Sequence, residues 1–295
     1  MEDLAGLVPS PEALRAHLDA AGYLADAGMA TALFCALRLP QPILLEGEAG
    51  VGKTEAAKAL AAVLDTPLVR LQCYEGIDAT EALYEWNFPR QLLEIRLAEV
   101  GGSAPGAHDL FTRDYLIARP LLRAVEHPGP RPAVLLVDEI DRADDEFEAF
   151  LFELLAEAAV TIPEFGTIRA THPPIVVLTS NRTRDLHDAL KRRCLYHWLD
   201  YPDLARTVEI VRRRVPGARA SVAGQVAAAV GRLRALDLQK PPGVAEAIDW
   251  AHALELLGVE DLDEAALLAT AGSVLKYRED VEVAAERGAA WIAGR

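Results

Sequence analysis

The chain has 295 residues, about half of them apolar and a quarter charged, which is the composition of a globular protein with a buried core. Its 45 acidic and 30 basic residues give a formal net charge of −15, which argues against a general nucleic-acid binder because such proteins carry a basic excess. No apolar run reaches membrane-spanning length, the first residues lack the basic segment of a secretory signal, and the three cysteines have neither disulfide nor zinc spacing. We therefore expect a cytoplasmic protein.

Helical and strand patterns alternate over the first two thirds of the chain. In chain order, the predicted elements are a helix (10–39), a buried strand (43–45), a helix (54–64), strands (68–71 and 133–137), a helix (144–159), a β-hairpin (160–170) and a strand (175–178). Apolar strands that alternate with helices are typical of a parallel sheet covered by helices on both faces. The fold class predicted for this part is therefore α/β.

After residue 202 the strand patterns stop. Four segments of the remaining chain have helical periodicity, namely 203–214, 221–236, 243–257 and 261–275. We therefore expect two domains, an α/β domain over 1–202 and an all-helical domain over 203–295.

A complete phosphate-loop pattern, G-x-x-x-x-G-K-[ST], lies between the first predicted strand and the following helix. It reads Gly47-Glu48-Ala49-Gly50-Val51-Gly52-Lys53-Thr54. Glycines allow successive backbone N–H groups to turn toward phosphate oxygens, and the helix start adds the positive end of its dipole. Lys53 is expected to reach the β- and γ-phosphates, and the Thr54 hydroxyl to bind Mg²⁺. The sequence thus predicts a nucleotide site.

Polar side chains end two of the apolar strands. Asp138 and Glu139 follow the strand at 133–137, and Asn181 follows the strand at 175–178. Ligands in such sheets bind beyond the carboxyl ends of the strands. Asp138 is therefore expected to hold Mg²⁺, Glu139 to activate water and Asn181 to hold that water beside the γ-phosphate. The alternative is that the acids begin an ordinary helix and the asparagine caps a turn.

Charge is unevenly distributed over the second half of the chain. Residues 138–164 contain ten acids and one base, whereas residues 182–219 contain ten bases and five acids. An acidic and a basic surface suit head-to-tail association into a closed ring. Within the basic stretch, Arg192 and Arg193 are candidates for an arginine that enters a neighbouring subunit's site. The alternative is a pair of solvated surface charges.

The motifs together resemble the AAA+ ATPases, and within them the MoxR branch. The resemblance rests on the phosphate loop, on Val137-Asp138-Glu139-Ile140-Asp141-Arg142-Ala143, on Thr179-Ser180-Asn181 and on the helical tail. It extends to a hairpin before the Asn181 strand, like that branch's pre-sensor hairpin, and to a segment long enough for its helix-2 insertion. The resemblance implies a P-loop NTPase parallel sheet sandwiched by helices, with a C-terminal helical AAA+ lid domain.

Three further segments are similar to the accessory ATPases of aerobic carbon monoxide dehydrogenases and related molybdenum hydroxylases. They lie at 71–78, 82–88 and 189–198. This resemblance implies a ring-forming, ATP-hydrolysing chaperone, a hexamer that remodels a client and serves in metalloenzyme maturation. It further implies a partner with a von Willebrand factor A domain and a trans-acting arginine at Arg192 or Arg193. Separately, no membrane partner is expected, because no apolar run reaches membrane-spanning length.

The sequence departs from the family in the lid. The family has an arginine at the start of a lid helix, where this chain has Gly243 after two prolines, so Lys240 is the candidate replacement. Asp141 stands where the branch more often has asparagine, a change expected to have little effect. In the insertion, Trp86-Asn87-Phe88 is either an aromatic patch that grips a client or a cluster packed against the sheet.

Other functions remain open at this point. The missing lid arginine favours a slow, nucleotide-gated scaffold. A metal-insertion ATPase like the magnesium chelatase subunit shares the same inserted hairpins. A DNA or RNA translocase is disfavoured by the charge of −15.

Overall fold

The computed structural model describes residues 2–101 and 106–294. The chain divides into two compact units. The first comprises Met1–Glu46 and Thr54–Trp198, and the second comprises Gly47–Lys53 and Leu199–Arg295. The domain boundary expected between residues 202 and 203 stays a prediction.

The strands of the described ranges are β1 (Ile43–Gly47), β2 (Leu68–Gln72), β3 (Tyr84–Trp86), β4 (Leu116–Ala118), β5 (Val134–Asp138), β6 (Ala159–Ile162), β7 (Gly166–Arg169), β8 (Ile175–Ser180) and β9 (Leu195–Leu199). Five of them form a parallel sheet in the order β2-β5-β8-β1-β9. β5 and β8 are inside the sheet and buried throughout, which explains their long apolar runs. β2 lies at an edge and alternates between buried and exposed residues. The predicted α/β class is confirmed, although the sequence patterns missed β9.

The helices are α1 (Glu2–Leu7), α2 (Pro11–Ala20), α3 (Ala27–Arg38), α4 (Lys53–Val63), α5 (Ala79–Ala82), α6 (Phe88–Gly101), α7 (Ala107–Leu110), α8 (Pro120–Val125), α9 (Asp145–Glu157), α10 (Asp188–Lys191), α11 (Leu204–Arg214), α12 (Ala220–Arg234), α13 (Val244–Leu256), α14 (Glu264–Val274), α15 (Arg278–Arg287) and α16 (Ala289–Ala293). The single helix expected over 10–39 is wrong. Gly22 turns the chain with φ of +84°, and Asp26 then caps α3 by accepting a hydrogen bond from Met29 N at 2.7 Å. None of the helices in these ranges has the length and apolarity needed to span a membrane.

The segment between β2 and β5 packs its tryptophan inward. β3 and β4 pair antiparallel, and Trp86 is buried in edge contact with the Tyr84 and Phe111 rings, whose centroids lie 6.1 and 5.1 Å away. Trp86 is therefore part of the core rather than of a client-binding patch. Phe88, at the start of α6, remains 58% exposed. The predicted hairpin before β8 is confirmed as β6 and β7.

In the second unit, all the described secondary structure after Leu199 is helical. α11 to α14 occupy the four segments predicted, and α15 and α16 follow them. Trp250 on α13 is fully buried, and its indole N–H donates to Thr270 Oγ1 at 2.7 Å. A buried indole that finds its acceptor fixes the packing of α13 on α14.

Candidate functional site

The phosphate-loop residues 47–53 connect β1 to α4 and belong to the second compact unit. Gly50 and Gly52 have φ angles of +77° and +104°, which L side chains rarely adopt. Val51 between them is buried. These glycines thus permit a turn of the kind in which consecutive N–H groups can converge on a phosphate.

Lys53 ends this loop and begins α4. Its side chain is buried, and Nζ donates to the carbonyl oxygens of Gly47 at 2.6 Å and Glu48 at 2.8 Å. A buried ammonium is stabilised by such acceptors. The Lys53 ammonium is therefore held against the backbone of residues 47 and 48.

Four side chains meet at the carboxyl end of β5 in the first unit. Asp138 Oδ1 accepts from Thr179 Oγ1 at 2.6 Å and from Thr54 Oγ1 at 3.1 Å. Asp138 Oδ2 accepts from Arg70 Nε at 3.0 Å and Nη2 at 2.6 Å. The sequence predicted Thr54 and Asp138 but missed Thr179 and Arg70. Arg70 is far from any motif, and only the register of β2 against β5 brings it here.

Glu139 follows Asp138 in a left-handed backbone conformation, with φ of +55° and ψ of 51°. Such a conformation is costly for a residue with a Cβ and persists only where neighbouring contacts hold it. Its N–H donates to Thr179 Oγ1 at 2.9 Å, and its carboxylate pairs with Arg142 Nε at 2.8 Å. The Glu139 side chain is 32% exposed, so water reaches the carboxylate.

Asn181 lies just beyond β8, in a segment that Asp141 positions. Asp141 Oδ2 accepts from the backbone N–H of Asn181 at 3.2 Å and of Thr183 at 2.9 Å, and from Thr183 Oγ1 at 2.7 Å. Asp141 is buried. The sequence treated Asp141 only as a departure from the family, whereas the structure shows that it anchors the loop that carries Asn181.

Cys73 lies beside these acids. Burial, followed by the charges of Asp138, Asp141 and Glu139, raises the pKa of its thiol to about 12. The thiol is therefore neutral near pH 7 and is not a nucleophile.

Arg192 and Arg193 lie at the end of the short helix α10, and both are exposed. The Arg193 guanidinium lies over the Phe152 ring, with Cζ 4.9 Å from the centroid, and Nη1 donates to the Ala189 carbonyl oxygen at 3.0 Å. Arg193 is thus engaged within its own chain.

In the second unit, Gly243 lies against the phosphate loop. A Cβ at Gly243 would lie 2.9 Å from the Ala49 carbonyl oxygen, a separation that Cβ atoms essentially never show, and a tight 3.0 Å from Gly50 Cα. The next residue, Val244, donates its N–H to the Gly50 carbonyl oxygen at 3.0 Å. A side chain at position 243 would therefore crowd the phosphate loop.

Two cations lie near this contact. Lys240 Nζ is 3.8 Å from Glu246 Oε1, and the Lys240 side chain is 41% exposed. The Arg234 guanidinium stacks on the Tyr201 ring at 4.1 Å and donates from Nε to the Pro242 carbonyl oxygen at 2.7 Å. Its Nη2 is buried and has no hydrogen-bond partner within the described ranges. Burial lowers the pKa of Arg234. Sequence reasoning considered Lys240 and missed Arg234.

We expect Gly243→Ala to destabilise the fold by about 1–3 kcal/mol, because the added methyl overpacks the loop while the backbone at φ −82° suits alanine. Gly224→Ala is the matched control, since nothing lies within 4 Å of a Cβ there. In the helix α12, that change should be neutral or stabilise by about 1 kcal/mol. Urea unfolding measures both free energies, and equal values would contradict the contact.

The donor chemistry at Thr54 and Asp138 fits Mg²⁺, which prefers hydroxyl and carboxylate oxygens and takes its other ligands from phosphate and water. Among the described residues, no group of three or more His, Cys, Asp or Glu side chains is arranged to hold a metal.

Comparison with known proteins adds a family match. A family model described as "AAA domain (dynein-related subfamily)" matches residues 42–194, just over half of the chain. Two uncharacterized proteins of Staphylococcus aureus, from strains bovine RF122 / ET3-1 and USA300, are each 28% identical over 171 residues. The matched region covers 56% of this chain and 57% of the length of these curated relatives.

Solved structures include a RuvB mutant of Thermotoga maritima, with a TM-score of 0.48 and 18% identity over 82% of this chain and 66% of that one. The Thermotoga maritima RuvB Holliday junction branch migration motor has a TM-score of 0.45 and 17% identity over 82% of this chain and 65% of that one.

Proposed function

The chain belongs to the AAA domain family, in its dynein-related subfamily, and we propose from this premise that it binds ATP with Mg²⁺ and hydrolyses it. The observation that carries the proposal is the cluster at the carboxyl end of β5, where Asp138 binds the hydroxyls of Thr54 and Thr179 and Glu139 follows in a strained conformation. Thr54 comes directly after a complete phosphate loop.

Each site residue then has one role. The backbone N–H groups of the loop and Lys53 Nζ bind phosphate oxygens. Thr54 and Asp138 hold Mg²⁺, which neutralises phosphate charge when bound. The Glu139 carboxylate takes the proton of the attacking water, and Asn181 orients that water. The ion pair of Glu139 with Arg142 is half exposed and therefore weak, so water can replace Arg142 at the carboxylate.

For the lid cation, we favour Arg234 over Lys240. Arg234 Nη2 is a buried donor that lacks a hydrogen-bond partner in the described part of the chain, and such a donor is stabilised by an added acceptor. Lys240 is exposed, and its ammonium forms a long ion pair with Glu246. A guanidinium also offers the forked geometry that phosphate oxygens accept. If neither cation contacts the nucleotide, the slow nucleotide-gated scaffold becomes the better description.

AAA+ ATPases commonly assemble into rings, and we propose a homo-oligomeric ring, a hexamer, for this chain. The acidic stretch over 138–164 and the basic stretch over 182–219 support head-to-tail association. One of the exposed arginines of α10 would complete the neighbour's site. Arg192 is the better candidate, because Arg193 already stacks on Phe152.

The work done by hydrolysis is proposed to be remodelling of a client protein in metalloenzyme maturation, in the manner of the molybdenum hydroxylase accessory ATPases. A partner with a von Willebrand factor A domain and a cytoplasmic location belong to the same proposal. Its support is the resemblance at 71–78, 82–88 and 189–198. A magnesium-chelatase-like ATPase is the alternative enzyme.

Phosphate release from MgATP, measured together with sedimentation velocity in ADP and in a slowly hydrolysed ATP analogue, tests the proposal. We expect ATP turnover that requires Mg²⁺. We also expect a species of the size of a ring, whose population is larger with the ATP analogue than with ADP. A monomer that binds no nucleotide would contradict both the ATPase and the ring.

A further inference from the structure

The Asp138 carboxylate is held by a guanidinium that the roles given above do not use. Arg70 Nε and Nη2 both donate to Oδ2, at 3.0 and 2.6 Å. Only 4% of the Asp138 side chain is exposed, against 49% of Arg70. Hydrogen bonds between two charged groups are the strong ones, and a buried carboxylate without a cation is destabilising. Arg70 therefore places a positive charge directly against this buried carboxylate.

The position of Arg70 on the sheet allows its side chain an alternative contact, away from Asp138. β2 is an edge strand, and its register places Gln72 opposite Asp138. Arg70 is two residues before Gln72, so both side chains lie on the same face of the strand. The Arg70 guanidinium also donates to the Gln72 side chain. It can therefore leave Asp138 and keep an acceptor and contact with water.

In this arrangement, hydrogen bonds already occupy both carboxylate oxygens of Asp138, which leaves no free acceptor position for a further cation. Oδ1 accepts from Thr54 and Thr179, and Oδ2 accepts the two Arg70 bonds and a long one from Thr54. Of these donors, Arg70 alone carries a positive charge. A dication close to Asp138 is repelled by that charge and attracted by the acid.

We propose that Arg70 is the resident counter-ion of the metal-binding carboxylate, and that its guanidinium and a divalent cation compete for Asp138. This inference rests on the proposed function. Arg70 acts as a positioning residue: it holds Asp138 in its orientation between turnovers, and it sets the Mg²⁺ concentration at which nucleotide binds.

Arg70→Met tests the competition, because it removes the charge and keeps most of the apolar stem. With ADP fixed, we expect the Mg²⁺ concentration for half-maximal binding to fall about tenfold. Without nucleotide, the variant should melt about 3 °C or more below wild type in a chelator and recover when MgCl₂ alone is added. Wild type should show no such recovery, since Arg70 already balances the charge. A half-saturating Mg²⁺ concentration that is unchanged or raised would overturn the proposal.

Two further variants keep the test decisive. Arg278→Met removes an arginine that is 86% exposed and paired with Glu282, and it should match wild type in both measurements. Arg70→Lys keeps the charge but not the two-bond fork, so its half-saturating Mg²⁺ concentration should fall by only about threefold. If Arg70→Met does not fold, Arg70→Lys decides the question. A half-saturating Mg²⁺ concentration equal to that of wild type would then overturn the proposal. If wild type binds no ADP at any Mg²⁺ concentration, the proposed function fails, while the melting measurement with MgCl₂ still decides the role of Arg70.

Discussion

Lys53→Ala is expected to abolish nucleotide binding, a loss of at least about a hundredfold in affinity. The Lys53 ammonium is buried and held at 2.6 and 2.8 Å from two carbonyl oxygens of the phosphate loop. In the proposed site, the variant removes the charge assigned to the β- and γ-phosphates. Titration calorimetry with ADP and MgCl₂ measures the change.

Lys58→Ala is the control for that substitution. Lys58 lies on the same helix, α4, but is half exposed and pairs with Glu55. Its removal should leave affinity within about twofold, because surface ion pairs contribute little. Tight ADP binding by Lys53→Ala would show that residues 47–54 are a glycine-rich turn and not a phosphate site.

Glu139→Gln has the second large effect, on turnover rather than on binding. Glutamine preserves the shape of the side chain but cannot take a proton from water. We therefore expect ATP affinity within about threefold of wild type and a fall in kcat of about a thousandfold. Rapid-quench measurement of phosphate release separates the two effects.

Glu146→Gln, on the exposed first turn of α9, removes the same charge away from the site and should leave kcat unchanged. An equal loss in both variants would indicate a general electrostatic effect. Full activity in Glu139→Gln would show that Glu139 is not the base of the reaction, despite its left-handed backbone conformation.

Local signals were enough to predict the sheet and to single out the central residues of the candidate site. β5 and β8 are buried on both faces, so their apolar runs mark them without any knowledge of their neighbours. The parallel sheet then places Asp138 and Asn181 at one edge. The phosphate loop is contiguous, and its glycines have the backbone angles that the motif requires.

The rest of the site depends on contacts between distant parts of the chain. Arg70 reaches Asp138 only because β2 pairs with β5, and a lone arginine on a short strand gives no signal of that pairing. Gly243 resembles an ordinary helix start until its distance to Ala49 is known. Trp86 fits a core or a surface patch equally well in sequence, and only its ring contacts decide.

The most direct test of the account is the specific rate of ATP hydrolysis per chain, measured across about three decades of protein concentration. If a neighbour completes each site, the specific rate will rise steeply with concentration and then level off. Arg192→Ala combined with Arg193→Ala should bind ATP normally and lower the plateau about a thousandfold. A rate that is appreciable and independent of concentration, with the double variant as active as wild type, would contradict the ring-assembled ATPase.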